Sequence, residues 1–553
     1  VARQQGQKRR VLLLYPEFPP TYWGLQFSLP VIGRKSFMPP LGLLTVAALC
    51  PEDSYEFRLV DLNCGPLTKA DLEWSEVVLI SAMLAQKFSV VPAAARCREA
   101  GKIVILGGPY PTSTPEECLD YADVIVAGEA EITWPQLLAD LERGTLQRRY
   151  AAGEDKPDLT QTPVPRFDLV RTSDYFTIPI QFSRGCPFQC EFCDIIVMFG
   201  RKPRTKTPEQ IQRELSAIHA TGYRGDVFFV DDNFIGNKKK VMEVLAGVQE
   251  WNQLHGQPYE YTTEASVDLA EKPDLLAAMV KARFRRAFLG IESPSAASLQ
   301  ETKKFQNLRS SIEDSVNTIA AAGINVMAGF IVGFDSDPQE IYDLQIEMIS
   351  RLPIPLAMVA RLQAAPGTPL WTRMERDGRL THERQETHVP GRVGESNIIP
   401  LGPPEELLRG YQRVLESIYT PQAYFGRVWR ANRTAPRPGG FWAGVQAVRA
   451  QLSISREYGT SFGRVLSFFG KLRPAFRREA LRLLLRLIWR RPDRLGLYLG
   501  YVILGHHMYT FTHRVVLPHI TEQLSEIEAG LIREPAPQPT RPRRLVLASA
   551  SEG

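Results

Sequence analysis

In a chain of 553 residues no cysteine follows Cys193, and the seven present (Cys50, Cys64, Cys97, Cys118, Cys186, Cys190 and Cys193) are an odd number. That is a poor framework for disulfides and fits a reducing, cytoplasmic compartment. Also missing is a run of about 20 apolar residues, the length a spanning helix needs; the longest, Leu495–Gly505, continues only weakly to Thr512. No secretory leader is expected: Val1 to Arg10 is polar and basic, and the apolar run Val11–Tyr15 is far too short. Neither sign of charge dominates, with 66 basic against 61 acidic residues, and 44% hydrophobic content excludes wholesale disorder. The charge is unevenly spread, however. From Pro421 onward 21 basic residues face 8 acidic ones, so a basic end of +13 joins a body of −8. An anionic surface or ligand is expected at that end. There is no repeat at solenoid period.

What is present divides into blocks, since this length exceeds one core. Residues 10–150 alternate strand-length apolar runs (Val11–Tyr15, Phe57–Asp61, Val77–Ser81, Ile103–Gly107, Val124–Ala127) with segments of helical spacing at Leu41–Leu49, Val90–Ala100 and Ile132–Leu141. This pattern predicts an α/β domain with a doubly wound, Rossmann-like parallel sheet, which binds ligands at the carboxyl ends of its strands. Residues 151–175, with Pro157, Pro163 and Pro165, read as a linker. A second α/β block follows within 176–400. Its strand candidates are Thr177–Phe182, Val227–Val230, Tyr259–Thr263, Arg286–Gly290, Asn325–Val332 and Met358–Ala364, and helical segments follow the first five. Six such units predict a partial (β/α)6 barrel, with its polar residues at the strand-end rim. From about Gly367 to Pro404 the pattern is irregular. Residues 401–530 read as an α-helical domain, and 531–553, rich in Pro and Arg, as a disordered tail.

The strongest chemical signal is Cys186-Pro187-Phe188-Gln189-Cys190-Glu191-Phe192-Cys193, a Cys-x3-Cys-x2-Cys loop just after the first barrel strand. Three thiolates on one loop can hold three irons of a cubane cluster and leave the fourth open. A structural zinc site would want a fourth ligand, and the nearest downstream histidine, His219, falls in a helical segment. An open iron beside a barrel mouth calls for a chelating small molecule.

This motif, with its aromatic residue before the last cysteine, resembles that of the radical S-adenosylmethionine (SAM) enzymes. The resemblance implies a 4Fe-4S cluster on Cys186, Cys190 and Cys193, and SAM cleaved reductively to a 5′-deoxyadenosyl radical. By motif position it implies SAM contacts from Phe192, Asp231, Asp232, Glu264, Ser266 and Glu292, and from Gly333 in Gly329-Phe330-Ile331-Val332-Gly333. Val230-Asp231-Asp232-Asn233-Phe234 departs from the family's usual Gly-Gly-Glu. Residues 10–150 resemble the cobalamin-binding domain of the class B radical SAM methylases through Met38-Pro39-Pro40-Leu41-Gly42, Gly107-Gly108-Pro109 and Gly128-Glu129-Ala130-Glu131. That likeness implies cobalamin contacts from Met83, Gly107, Gly108, Pro109, Thr112, Gly128 and Glu129. No histidine precedes His219, so this domain supplies no lower-axial histidine, a lack that class B members generally share.

The implied activity is cobalamin-dependent methylation of an unactivated carbon on a bulky hydrophobic substrate, fed by an electron donor such as flavodoxin or ferredoxin. The alternatives are a radical SAM enzyme without cobalamin, or a non-catalytic iron–sulfur protein. The C-terminal block is similar to the helical extension of a subset that includes hopanoid methylases, through Tyr411–Leu415 and Tyr424–Val428, and is expected to shape the substrate pocket. Its stretch Leu481–Arg491 interleaves Arg with Leu and Trp, the composition of helices that lie in a membrane interface. Peripheral contact through 470–520, at the inner face of the membrane, is therefore expected; solvated arginines on a packed helix are the alternative. Nucleic acid is the less favoured partner, because the arginines are not mixed with stacking aromatics. His506, His507, His513 and His519 are candidates for a metal site, with packing or surface roles the commoner fate of such residues.

Overall fold

A computed structural model describes residues 7–381, 395–437 and 462–529; the expected tail, 531–553, lies outside them. The first sheet has six parallel strands, Arg9–Tyr15, Tyr55–Asp61, Val77–Ser81, Ile103–Gly107, Val124–Ala127 and Arg149–Ala151, in the order 2-1-3-4-5-6. Such uniformly apolar runs suit strands covered on both faces, and Leu12, Leu13, Leu14, Val78, Val104 and Ile125 are fully buried between two helical layers. The order reverses between the first and third strands, which opens a crevice at their carboxyl ends. The last strand was not expected; three residues at a sheet edge carry too little periodicity to announce themselves.

The second sheet runs Thr177–Ile180, Gly225–Phe229, Tyr259–Ala265, Phe284–Glu292, Asn325–Val332 and Leu356–Arg361 in sequence order, all parallel. Helices Pro208–Ala220, Lys238–Leu254, Pro273–Lys281, Ile312–Ala321 and Ile341–Arg351 wrap it, giving the partial barrel. Residues 151–175 are more than a linker: Phe167 and Tyr175 are buried, and the Tyr175 hydroxyl donates to Asp61 at 3.0 Å. The stretch read as irregular from Gly367 holds a helix, Pro369–Arg376. Thr368 caps it by accepting from Trp371 N, Pro369 starts it, and Leu370 and Met374 bury one face.

Helices Pro404–Ile418, Pro421–Thr434, Phe462–Lys471, Pro474–Arg490, Leu495–Phe511 and Leu517–Glu528 form the C-terminal part. Leu408, Tyr411, Leu415 and Ile418 recur at helical spacing and are buried in one core with the barrel. The hydroxyls of Tyr411 and Tyr419 donate to the carbonyls of Val359 and Ala357 on the outermost barrel strand. The fully buried Arg427 donates to Ile354 O and Ile418 O. A sheet edge that would otherwise carry unpaired carbonyls is thereby covered. Leu495–Phe511 contains the longest apolar run, and among the described residues no helix is long and apolar enough to cross a membrane.

Candidate functional site

The carboxyl ends of the two sheets face each other across one cavity of about 1860 Å³, roughly twice the upper end of ordinary small-ligand pockets. Among the described residues, its wall contains none beyond Asn397. The described residues of the helical domain expected to shape the pocket therefore do not line it. Those helices sit on the barrel edge and on a strap, residues 17–37, that leaves the first strand of the first sheet. Tyr22 bonds Thr512 at 2.9 Å, the Ser28 hydroxyl donates to Ile503 O at 2.5 Å, and the His507 ring meets Thr21 O at 3.0 Å. Thus held, the strap turns Trp23 and Phe37 into the cavity, against Phe228 and Phe288 of the barrel interior. Sequence reading missed this aromatic wall, because the strap has neither helical nor strand periodicity.

All seven residues singled out on the first domain line the cavity. Gly108 has φ 97°, and a Cβ there would stand 2.8 Å from Ser81 Oγ and 2.9 Å from Ala82 O. Only glycine lets this turn fold against the third strand. The Thr112 hydroxyl donates to Gly108 O at 2.7 Å and accepts from Gly128 N at 3.0 Å, so one side chain ties the two glycine turns together. Half-exposed Met83 projects beside them. Glu129 already has partners: Arg184 and Arg204 each approach its carboxylate to 2.7 Å, and Arg184 also pairs with Glu131 at 2.8 Å. Arg184 belongs to the two-residue strand that leads into the cysteine loop. This cluster therefore bolts the first domain to the barrel.

Cys186, Cys190 and Cys193 are free thiols on one loop, Cys190 buried and the others half-buried. Gln306 Nε2 donates to Cys190 Sγ at 3.5 Å and Asn233 Nδ2 to Cys186 Sγ at 3.9 Å. Burial, with Asp194 nearby, pushes the Cys193 thiol up to about 12; bound metal would reverse that by drawing off the proton. Clustered thiols with amide donors aimed at sulfur fit an iron–sulfur cluster. Among the described residues no three His, Cys, Asp or Glu side chains converge on one metal ion; a cubane instead takes its three thiolates on three different irons. The loop is fixed at its middle. Glu191 N donates to Thr302 O and Leu370 N to Glu191 O, while Arg373 joins Glu191 (2.8 Å), Asp335 (2.7 Å) and Glu301 (2.9 Å).

Of the residues singled out for SAM, Asp231, Asp232, Glu264 and Glu292 lie on the cavity wall, whereas Phe192, Ser266 and Gly333 do not line it. Buried Asp231 closes the exit of the first barrel strand, accepting from Phe182 N at 3.2 Å and Ser183 Oγ at 2.6 Å; burial pushes it to about 7. Asp232 accepts from Gly185 N at 2.8 Å, and burial raises it to about 6. Burial, then the charges of Asp232 and Asp231, raise Glu264 to about 8. Glu292, at φ 67°, is ion-paired to Lys304, whose ammonium lies 5.7 Å from the Phe192 ring centre. The Ser266 hydroxyl is bound to Asn233 and Asp268, and Gly333 N donates to Asp337. The four C-terminal histidines do not converge: His506 faces Thr510, His507 the strap, His513 the carbonyl of Tyr509, and His519 the Glu395 carboxylate.

Comparison with known proteins matches residues 29–138 to a B12 binding domain, 180–344 to the radical SAM superfamily and 368–519 to a domain of unknown function, DUF4070. An uncharacterized methyltransferase of Synechocystis sp. is 45% identical over 425 residues, 76% of this chain and 78% of its own length. The hopanoid C-2 methylase of Rhodopseudomonas palustris is 36% identical over 429 residues, 77% and 80%. Among solved structures, the cobalamin-dependent S-adenosylmethionine radical enzyme OxsB aligns with a TM-score of 0.57 at 14% identity, over 96% of this chain and 82% of that one. The methyltransferase TsrM of Kitasatospora setae aligns at 0.54 and 16%, over 67% and 77%; at these identities the likeness is one of fold. With a B12-binding sheet, a cysteine-bearing barrel and two methyltransferase relatives that each match most of its length, the chain belongs to the cobalamin-dependent radical SAM methyltransferases.

Proposed function

We propose that this enzyme methylates an unactivated carbon of a bulky, apolar small molecule. The observation that carries the reading is the large cavity between the two sheets, which glycine turns, barrel carboxylates and an aromatic wall line together. When bound, the cluster and SAM supply a hydrogen-abstracting radical, and cobalamin supplies the methyl group. In this reading Cys186, Cys190 and Cys193 hold the cluster, with Gln306 and Asn233 donating to sulfur. Asp232, Glu264 and the Glu292–Lys304 pair meet the polar groups of SAM, and Asp231 positions them by holding the strand exit. Phe192, Ser266 and Gly333 support that pocket without lining the cavity.

Gly107, Gly108, Pro109, Thr112, Gly128 and Met83 would hold cobalamin on the cavity wall, with Glu129 fixing the turn beside them. Trp23, Phe37, Phe228 and Phe288 take the apolar body of the substrate and keep water from the radical. The electron comes from a donor of the flavodoxin or ferredoxin class. A substrate of this kind partitions into bilayers, so peripheral association with the inner face of the membrane belongs to the same reading.

Iron, sulfide and cobalt per chain after anaerobic reconstitution with excess cobalamin test it. About four irons and one cobalt are expected, with 5′-deoxyadenosine formed under reductant and none from Cys190→Ala. Iron without cobalt would sink the methyl-transfer step, and 5′-deoxyadenosine from the variant would sink the cluster assignment.

A further inference from the structure

Helix Pro474–Arg490 has two apolar faces. One, made of Phe476, Ala480, Leu483 and Leu487, is buried in the core shared with the barrel. The other is a second stripe, Leu481, Leu485, Ile488 and Trp489, at spacing i, i+4, i+7 and i+8. These side chains are 48%, 57%, 47% and 83% exposed. A helix that already buries one stripe has no folding reason for a second, and contiguous exposed apolar surface marks an interaction site. Arg477, Arg478, Arg482, Arg486 and Arg490 are exposed on the same helix, whose one acidic residue, Glu479, is buried and paired with Arg482.

We infer that this outward face docks the enzyme on an anionic lipid bilayer. In that pose the helix axis lies in the plane of the interface, with Leu481, Leu485, Ile488 and Trp489 among the acyl chains. The arginines reach sideways to lipid phosphates on their flexible stems. Charge selects this occupant over the others. A second copy of the chain would bring one arginine-flanked stripe against another. Residues 438–461 carry Arg449 and Arg456 against Glu457, and 530–553 carry Arg533, Arg541, Arg543 and Arg544 against Glu534 and Glu552, so both segments carry a net charge of the same sign as the face and offer it no complement. Nucleic acid would answer the arginines but would leave three aliphatic side chains against a polar, charged surface. The anchor is rigid, because the inner stripe of the same helix is fixed in the protein core. The docking geometry does not depend on the apolar-substrate reading, which gives it only its purpose.

The test is flotation of the full, reconstituted chain with phosphatidylcholine vesicles and with phosphatidylcholine–phosphatidylglycerol vesicles. The protein should float with the anionic vesicles, less with the neutral ones, and less again in high salt. Leu485→Glu and Trp489→Glu, at positions already facing solvent, should each weaken flotation by about tenfold or more while SAM cleavage in solution is unchanged. Wild-type protein that stays behind with anionic vesicles overturns the inference, as do variants that float equally well. So does a wild-type dimer that Trp489→Glu dissociates, or duplex DNA that removes the protein from vesicles. None of these results touches the radical assignment, which SAM cleavage reads separately.

Discussion

Arg184→Met should loosen the junction that holds the first domain against the cysteine loop. In the wild type Arg184 reaches Glu129 at 2.7 Å and Glu131 at 2.8 Å, with little of any of the three side chains exposed. Burial raises the Glu131 carboxyl, and the adjacent guanidinium more than reverses this, leaving it below its ordinary value. Methionine fills similar space and removes the largest influence opposing the burial of Glu131, leaving only a backbone hydrogen bond and the charge of Lys206 against it. Breaking a buried pair from one side costs about 3–5 kcal/mol. Arg204 still neutralises Glu129, so the lower figure applies. About 3 kcal/mol corresponds to roughly a hundredfold rise in local opening. Hydrogen exchange followed by mass spectrometry should show that loss of protection in peptides covering Val124–Glu131 and Ser183–Cys186.

The pH dependence is the sharper check. A depressed carboxyl contributes stability that is present at neutral pH and is lost as pH falls through its folded value; in the variant the carboxyl is raised, so its cost grows as pH rises. The gap between the two proteins should therefore be wide near about pH 8 and close toward about pH 4. Arg184→Met combined with Glu131→Gln should restore most of the protection. An equal gap at both pH values, or no restoration, would refute the electrostatic account of this junction.

Three further outcomes follow from the same geometry. Gly108→Val forces a Cβ to within 3 Å of Ser81 and Ala82 at φ 97°; strain of about 1–3 kcal/mol should weaken cobalamin binding roughly tenfold to a hundredfold in equilibrium dialysis, with iron content unchanged. Burial raises Glu264 to about 8 and Asp231 to about 7, so their contribution is present at acid pH and lost as pH rises through those values. The cofactor-free protein should melt several degrees lower at about pH 9 than at about pH 6, and Glu264→Gln should flatten that slope in scanning fluorimetry; a slope unchanged by the substitution would refute the assignment. Arg373→Met removes the shared partner of Glu191, Asp335 and Glu301. The cluster should then bleach several-fold faster under a chelator, while cobalamin loading stays at the wild-type level.

Much of this fold could be read from the sequence because fully buried parallel strands announce themselves. Val77–Ser81, Ile103–Gly107, Val124–Ala127 and Asn325–Val332 match their apolar runs residue for residue. Phe284–Glu292 is longer than its expected run, Arg286–Gly290, because the charged Arg285 near one end and Glu292 at the other interrupt the apolar pattern. The cysteine loop and the glycine turns were legible because their chemistry depends on neighbours in sequence. What stayed hidden depends on neighbours in space. Gln306 meets Cys190 across 116 positions, and Glu129, expected at the corrin, meets Arg204 across 75. No local signal marks either pairing. The strap that builds the aromatic wall reads as loop, and the helices that hold it never reach the cavity.

That strap has a consequence for how the molecule is made. Tyr22 and Thr512 stand 490 positions apart in the chain. On a ribosome adding about 5–20 residues per second, the second emerges about 25 to 100 seconds after the first. Throughout that interval the B12-binding sheet and then the barrel can fold while the strap lacks the helices that hold Thr21, Tyr22 and Ser28. The aromatic wall is thus fully fixed only when the last helices arrive, so variants that weaken their hold on the strap should be recognisable by how easily they gain and lose their corrinoid.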